Sequence, residues 1–392
     1  MVQPYLPGYR TGFYERLQTL LETEGITLEV LYGTPASVQA ARRDSAHCAC
    51  ARQVPTRQVS IPGGRSLTWR HLRNRAASAD AVVVEQALQN LDTYPLLLRQ
   101  QIARFAGHAP PVAFWGHGRT YTKPVTRIES LAKDALTRRG AWFFAYTEGG
   151  AAHLTARGFP ADRITVVRNS VDTTALAEDC ERAEEAGTRE HVEAALLRKQ
   201  FDLVPGRTAL FLGGLDAPKR IPFLLESARQ IAAELPGFRL LVAGDGADRL
   251  LVDDAASQPG SPVVALGRAT GARTALLGAV SDVMLMPGRV GLCAVDSFAL
   301  RTPVVTTDWP WHAPEFEYLT HGRNSLITPD SLDAYVGAVT ALLNAPRRLH
   351  VLQAACRKDA AAYTVEEMAR RFCDGLLQLM GTPTSACSVH DH

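Results

Sequence analysis

Short, almost uninterrupted apolar runs recur along this chain, each followed by a longer amphipathic stretch. They fall into two series with one polar interval between them. The first series is 27–32 (TLEVLY), 80–86 (DAVVVEQ), 111–115, 142–146 and 164–167. The second is 208–212 (TALFL), 238–243 (FRLLVA), 262–266, 282–286 and 303–306. A half-exposed strand alternates apolar and polar residues; a run that stays apolar fits a strand buried on both faces of a parallel sheet, covered by the helices in between. Helices are expected over 14–24 and 221–235. The pattern therefore predicts an α/β fold of two doubly wound, Rossmann-like parallel-sheet domains. With 392 residues, the chain is also too long for one ordinary core.

The interval 172–206 is rich in Glu, Ala and Arg and ends in Pro205-Gly206, which reads as solvated helix and turn. The expected division is a first Rossmann-like domain over 1–170, a crossover linker and helix over 171–205, and a second domain over 206–360. A last helix over 361–380, starting after Thr364 as N-cap, and a Ser/Thr/His-rich tail without regular structure over 381–392 complete it. The strand ahead of Gly8 is short, so the sequence is expected either to begin late or to carry a clipped first strand.

Composition removes several function classes. The net charge is +2, from 42 basic and 40 acidic side chains, without the basic surplus of a nucleic-acid binder. No stretch approaches the ~20 apolar residues of an integral membrane segment. The first ten residues lack a positive leader and apolar run, so no signal peptide is expected. The seven cysteines are odd in number and form no CxxC. Cys48-Ala-Cys50, beside His47, is too tight for a metal or redox pair. Reduced thiols, a cytoplasmic location, no metal and no cofactor are expected.

In doubly wound sheets, ligands bind beyond the carboxyl ends of the strands. Three loops there carry chemistry. After 208–212 comes Gly213-Gly214, where backbone can approach a ligand closely, and then Lys219-Arg220 at a helix start, suited to a diphosphate. After 282–286 comes Gly288-Arg289-Val290-Gly291-Leu292, whose amides suit a phosphate or sugar oxygens, with Asp296 one turn into the next helix, placed to accept a ribose diol. After 303–306 come His312 and Glu315, with Glu315 at the ligand face. In the first half, residues 4–10 (PYLPGYR) form a loop around Gly8, and His117 ends a strand.

The order and spacing of these blocks over about 205–330 resemble the second domain of retaining GT-B glycosyltransferases, specifically family 4. That family carries a Gly-Arg-Leu loop with a following Lys, and an acidic-x7-acidic stretch with Phe-Gly-Leu inside. Pro-Val-Val and a segment ending in Glu come next. Lys219, Gly291-Leu292, Asp296, Pro303-Val304-Val305 and Glu315 match those positions. The first half resembles the family more loosely, through Gly8 at the close-approach loop and His117 at the donor sugar. Residues 166–172, at the crossover, and Thr147–Gly150, opening a helix, are read as structural. Two departures stand out: Gly214 replaces the family's Arg beside the phosphates, and Gly288 replaces the first acid, which leaves Arg289 to face the sugar or phosphates.

The resemblance implies a two-domain GT-B enzyme whose halves meet over the substrates. It would move a hexose or aminohexose from a nucleotide sugar, UDP rather than GDP, to an acceptor hydroxyl with retention of configuration. Lys219, His117 and Glu315 are the expected catalytic residues. Gly8, Gly213, Gly214, Lys219, Arg220, Gly288, Arg289, Val290, Gly291, Leu292 and Asp296 are the expected donor contacts. No DxD pair sits at a strand end, and Asp253-Asp254 falls in a helical stretch, so transfer is expected to be metal-independent. The acceptor is expected to be a small molecule or glycan, such as an aminocyclitol in antibiotic biosynthesis or a cell-envelope glycan. The segment 126–139 contains Glu129 and Asp134 and no aromatic, which favours a soluble acceptor or a transient membrane contact. The alternatives are a non-catalytic nucleotide-sugar binding module and a GT-B sugar epimerase.

Overall fold

The computed structural model describes residues 1–35, 47–61, 65–72, 75–103, 105 and 107–381. The tail from 382, with Cys387, lies outside the described residues. The chain forms two compact units. The first takes residues 1–120 and 124–171 and the chain from Val365 on; the second takes 121–123 and 172–364.

The first unit is built on a seven-stranded parallel sheet. Its strands are β1 (Val2–Gln3), β2 (Val30–Tyr32), β3 (Ala51–Gln53), β6 (Val82–Glu85), β7 (Val112–Gly116), β8 (Trp142–Ala145) and β9 (Ile164–Val166), in the order β3-β2-β1-β6-β7-β8-β9. A separate antiparallel hairpin, β4 (Thr56–Ile61) and β5 (Arg65–Arg70), lies between β3 and β6 in sequence. Every residue of β7 and β8 is buried, which is why both read as unbroken apolar runs. β1 has only two residues, yet it sits mid-sheet between β2 and β6. Helix Val365–Met380 returns to pack along helix Thr11–Thr23, with Phe372 stacked on Phe144 at 4.0 Å. Arg70 ties the hairpin down through a buried bidentate pair with Asp92, at 2.8 and 2.9 Å. Cys48 and Cys50, in the loop ahead of β3, are packed into the core, with their sulfurs 3.1 Å apart.

The second unit has six parallel strands: β10 (Thr208–Leu212), β11 (Arg239–Ala243), β12 (Val263–Gly267), β13 (Val283–Leu285), β14 (Val304–Thr307) and β15 (Ser325–Thr328). Their order is β12-β11-β10-β13-β14-β15, so chain direction across the sheet reverses between β10 and β13. That reversal is the switch point at which such sheets open a crevice for ligands.

Residues 172–206, expected as solvated helix and turn, form two helices, Thr174–Glu184 and Arg189–Gln200, whose inner sides pack into the second unit. Cys180 and Ala183 are buried, and the first helix lies along helix Ala272–Ala279. Arg301, whose backbone is left-handed (φ 57°), pairs with Glu181 and Glu184 of that helix. The hairpin, β3 and β15 lack the unbroken apolar runs that reveal the other strands: β4 and β5 carry mostly polar residues, β3 is Ala-Arg-Gln, and β15 is Ser-Leu-Ile-Thr.

Candidate active site

The loops after β10 and β11 nest into each other. The Leu215 amide donates to the Asp245 carbonyl at 2.9 Å, and Asp248 returns a bond to the Leu215 carbonyl at 2.9 Å. A Cβ on Gly244 would lie 2.1 Å from the Gly213 carbonyl oxygen, so only glycine permits this contact. The nested loops wall a pocket of about 310 Å³ beyond the carboxyl ends of the strands, lined by Gly213, Gly214, Lys219, Arg268, Cys293 and Asp296 among others. A cavity of about 320 Å³ lies elsewhere in the unit, lined by Asp282 and Leu300, the residues just ahead of β13 and close ahead of β14. It lies toward the amino-terminal ends of these strands, away from the carboxyl ends where ligands bind in such folds.

Lys219 closes a single 3-10 turn, Ala217–Lys219, and its Nζ donates to the Arg289 carbonyl oxygen at 2.7 Å. Asp296 lies one turn into helix Cys293–Ala299. Burial pushes its carboxyl up to about 7, and the positive charge of Lys219 works against that rise. Burial likewise raises the Cys293 thiol. The pocket thus offers two cationic side chains, Lys219 and Arg268, a carboxyl that changes charge near neutral pH, and glycine backbone. This set suits a diphosphate bearing a hydroxylated group.

The other residues singled out in the sequence take different places. Arg220, expected to share the diphosphate with Lys219, is turned elsewhere. Its backbone is left-handed (φ 57°), its guanidinium lies 4.4 Å over the Phe223 ring, and it pairs with Asp330 and reaches the Pro287 carbonyl at 3.3 Å. Arg289, expected to face sugar or phosphates, donates from Nε to the Trp311 carbonyl at 3.0 Å and from Nη2 to the Thr122 carbonyl at 2.9 Å. The Val290 amide, expected on an anion, donates to Nδ1 of His312 at 3.0 Å. Gly288 is pressed against the chain at Pro218–Lys219: a Cβ there would lie 2.4 Å from the Pro218 carbonyl oxygen and 2.7 Å from that of Lys219. Gly291, which begins the turn into Leu292, lies beside the buried carboxylate of Glu315: the Oε2 of Glu315 is 3.8 Å from where a Cβ on Gly291 would be.

His312 was read from sequence only as part of its loop. It is buried, accepts the Val290 amide at Nδ1, donates from Nε2 to the Thr307 carbonyl at 2.9 Å, and stacks on Phe316 at 4.0 Å. This pairing fixes one neutral tautomer, and burial, the largest cause, holds the imidazole down at about 4. Asp245 and Arg268 also escaped the sequence reading. The signal was present, since Gly244 and Gly267 mark the ends of β11 and β12 just as Gly213 marks that of β10.

In the first unit, His117 directly follows β7, with its ring 4.7 Å from that of Tyr146, and burial lowers its pKa to about 4, so it is neutral near pH 7. Gly8 opens the turn Gly8–Arg10 that leads into helix Thr11–Thr23, and its carbonyl accepts the Thr11 hydroxyl at 2.8 Å. Arg10, buried behind it, donates to Asn169 Oδ1 at 2.6 Å and lies about equally far, 5.1 Å, from the rings of Tyr9 and Trp115. The segment around Asn169 is therefore held structurally, and Thr147 caps helix Glu148–Ala156 by accepting the Gly150 amide at 3.3 Å. Asp253 sits within helix Arg249–Ser257 and pairs with Arg249 at 2.8 Å. Among the described residues, no group of three or more His, Cys, Asp or Glu is placed to hold a metal, and no helix is long and apolar enough to cross a membrane.

Residues 206–345 match the family model of glycosyl transferases group 1. No curated protein sequence matches the chain significantly. Among solved structures, the chain is similar to Anabaena Alr3699/HepE, solved with UDP, at 14% identity and a TM-score of 0.64, covering 96% of this chain and 99% of that one. A glycosyltransferase from Rickettsia africae ESF-5 is similar at 11% identity and a TM-score of 0.65, covering 97% and 98%. The N-terminal domain of Candida albicans trehalose-6-phosphate phosphatase is similar at 11% identity and a TM-score of 0.66, covering 96% and 95%. These likenesses establish the fold, which is GT-B, and their differing names show that this fold alone does not set the chemistry.

Proposed function

From the match of residues 206–345 to the model of glycosyl transferases group 1, we propose that this protein is a retaining, family 4 glycosyltransferase that moves a hexose or aminohexose from a UDP-sugar to an acceptor hydroxyl. The observation that carries this reading is the meeting of Lys219, Asp296 and the Gly213–Gly214 backbone in one pocket at the switch point of the second unit. UDP is favoured over GDP because the similar Anabaena protein was solved with UDP and with UDP-glucose.

In this reading, Lys219 neutralises the diphosphate and Asp296 accepts the ribose diol. Glu315, beside Gly291, faces the sugar. The bond from the anomeric carbon to the phosphate oxygen breaks while the acceptor oxygen bonds to that carbon from the same face. The acceptor proton passes to the departing phosphate oxygen. Charge on the leaving group is met by Lys219 and backbone amides, so no protein base is demanded. His117, neutral in the first unit, serves as a hydrogen-bonding partner for the sugar. The acceptor is a small molecule or glycan, an aminocyclitol or a cell-envelope glycan being the types considered.

One observation favours a second reading, a non-catalytic nucleotide-sugar binding module: Gly288 leaves no carboxylate eight residues before Asp296, and its packing admits none. Incubation with a panel of UDP- and GDP-sugars and acceptors, read by mass spectrometry, separates the two. Transfer product, with the anomer assigned by NMR, supports the enzyme. Binding of UDP-sugar without transfer or hydrolysis supports the module. Product formation that vanishes in EDTA and returns with Mg²⁺ would contradict the metal-independent charge balance.

A further inference from the structure

The cavity of about 320 Å³ ahead of β13 has firm walls, cations from several elements and room for one small metabolite, and we propose that it binds a phosphorylated polyol, a sugar monophosphate, apart from the donor pocket. Part of its lining is the turn over 278–282, which ends helix Ala272–Ala279 and leads into β13. Helix Arg189–Gln200 contributes Arg198, and helix Pro346–Ala360 contributes His350, Gln353 and Arg357. Leu300 and Arg301 close the ring. The enclosure is not slack packing. A Cβ on Gly278 would lie 2.5 Å from Cδ2 of Leu300, and Arg301 holds the left-handed backbone that non-glycine residues seldom adopt. Helix Cys293–Ala299 starts at the donor pocket, which Cys293 and Asp296 line, and is followed by Leu300 at this cavity. Its seven residues, ~10 Å, separate the two sites.

The charges choose the guest. Two acids line the cavity, and both are engaged. Asp282 accepts the Gly206 amide at Oδ1 and the Thr208 amide at Oδ2, each at 2.9 Å, so it serves as a strut for the chain entering β10. Glu184 accepts from Nη1 of Arg301 at 2.6 Å. The arginines are less fully engaged. Arg198 gives one nitrogen to the Ala279 carbonyl at 2.9 Å and, among the described residues, forms no ion pair. Arg357 reaches Glu181 at 3.2 Å, but both side chains are more than half exposed, where such a pair is weak and easily exchanged. Two guanidinium groups on separate helices can thus turn to one phosphate, whose oxygens match their paired donors. Hydroxyl groups find acceptors beside them. Gln353 spends its amide nitrogen on the Asp282 carbonyl at 3.3 Å, which leaves its oxygen to accept, and Ser281 donates to the Leu277 carbonyl at 2.7 Å, which leaves its lone pairs. The volume is at the low end for ligand cavities, roughly 300–1,000 Å³, which suits a monosaccharide phosphate.

Calorimetric titration of the full chain, without acceptor or turnover, tests this independently of the transfer reaction. The probes are a panel of hexose 6-phosphates, the matching free hexoses and inorganic phosphate. At least one hexose phosphate is expected to bind with one equivalent and about tenfold more tightly than its free hexose or phosphate alone. Arg198→Gln with Arg357→Gln should weaken that binding by about tenfold or more. Ala354→Phe, which puts a ring into the cavity and removes no charge, should do the same if the arginine variant is unstable. Lys219→Ala, at the donor pocket, should leave it unchanged. No binding by any hexose phosphate, or binding no tighter than that of inorganic phosphate, would overturn the proposal. So would binding that survives in folded Arg198/Arg357 or Ala354 variants. Binding lost in Lys219→Ala but kept in the arginine variant would also overturn it, since the phosphate would then occupy the donor pocket.

Discussion

Lys219 donates from Nζ to the carbonyl oxygen of Arg289 at 2.7 Å, which fastens the cation of the loop after β10 to the glycine-rich turn after β13. The contact spans the switch point of the sheet, so the ammonium is held over the crevice before any ligand arrives. A preplaced charge gains most where water is excluded. Lys219→Ala is therefore expected to lower kcat/KM for the UDP-sugar by an amount equivalent to about 2–4 kcal/mol, with little change in melting temperature. Steady-state kinetics beside a thermal melt check this; near wild-type turnover would remove Lys219 from the phosphate site.

Gly288 bears on what can be restored by mutation. The resemblance places an acid there, and a designer would reintroduce Glu. The nearest neighbours of the missing Cβ are backbone atoms, at 2.4–2.7 Å, which cannot swing aside as the end of a side chain can. Gly288→Ala is expected to cost about 1–3 kcal/mol by overpacking, and Gly288→Glu more, with transfer reduced in both. Denaturant unfolding and activity of the two variants decide this. A Glu variant that is as stable as wild type and more active would contradict it.

Asp296 should make donor binding pH-dependent. Its carboxyl is pushed up to about 7 by burial, so it is largely protonated below that pH and ionised above it. If the ionised form accepts the ribose diol, affinity for UDP-glucose should rise as pH passes from 6 to 8, and Asp296→Asn should flatten the rise. The stability effect runs the other way. The folded pKa lies above the unfolded value, roughly 3.9, so the contribution of this group is complete below that value and is lost as pH rises through about 7. Calorimetric titration at pH 6, 7 and 8 reads the binding half; an unaltered profile in the Asn variant would exclude Asp296 from it.

The sheets were legible because β7, β8, β10 and β11 are buried on both faces and therefore spell unbroken apolar runs. The hairpin of β4 and β5, mostly polar, was not, and neither was β15, whose apolar pair Leu326-Ile327 is flanked by Ser325 and Thr328. The loops bearing Gly213, Lys219, Asp296 and Glu315 were found because they follow such strands. What sequence could not supply was direction. Lys219 and Arg220 are adjacent and chemically alike, yet one faces the pocket and the other pairs with Asp330, with Arg220 in a left-handed conformation at the helix start. Arg289 was placed by position to face the sugar or the phosphates, and its guanidinium donates to two carbonyl oxygens.

His312 offers the sharpest pH test of the site's framework. It joins the turn after β13 to the end of β14, accepting from the Val290 amide at 3.0 Å and donating to the Thr307 carbonyl at 2.9 Å. A proton on Nδ1 would abolish the first bond, and burial makes that proton costly, which is why the pKa falls to about 4. The unfolded chain titrates near 6.5, so the unfolded state binds more protons across the window between the two values. The stabilisation is thus complete above about 6.5 and is lost as pH falls through about 4. By order of magnitude the full difference is ~3 kcal/mol. Replacing the ring by Ala leaves the Val290 amide and the Thr307 carbonyl unpaired at a cost of about 1–3 kcal/mol. It also loosens the turn that holds the Lys219 contact. The expectation is that His312→Ala is less stable than wild type at pH 7.5, that the gap narrows at pH 5, and that kcat/KM for the donor falls at pH 7.5. Urea unfolding of both proteins at the two pH values measures the gap directly. A gap that stays constant or widens on acidification would mean that the imidazole is not held neutral by this pairing.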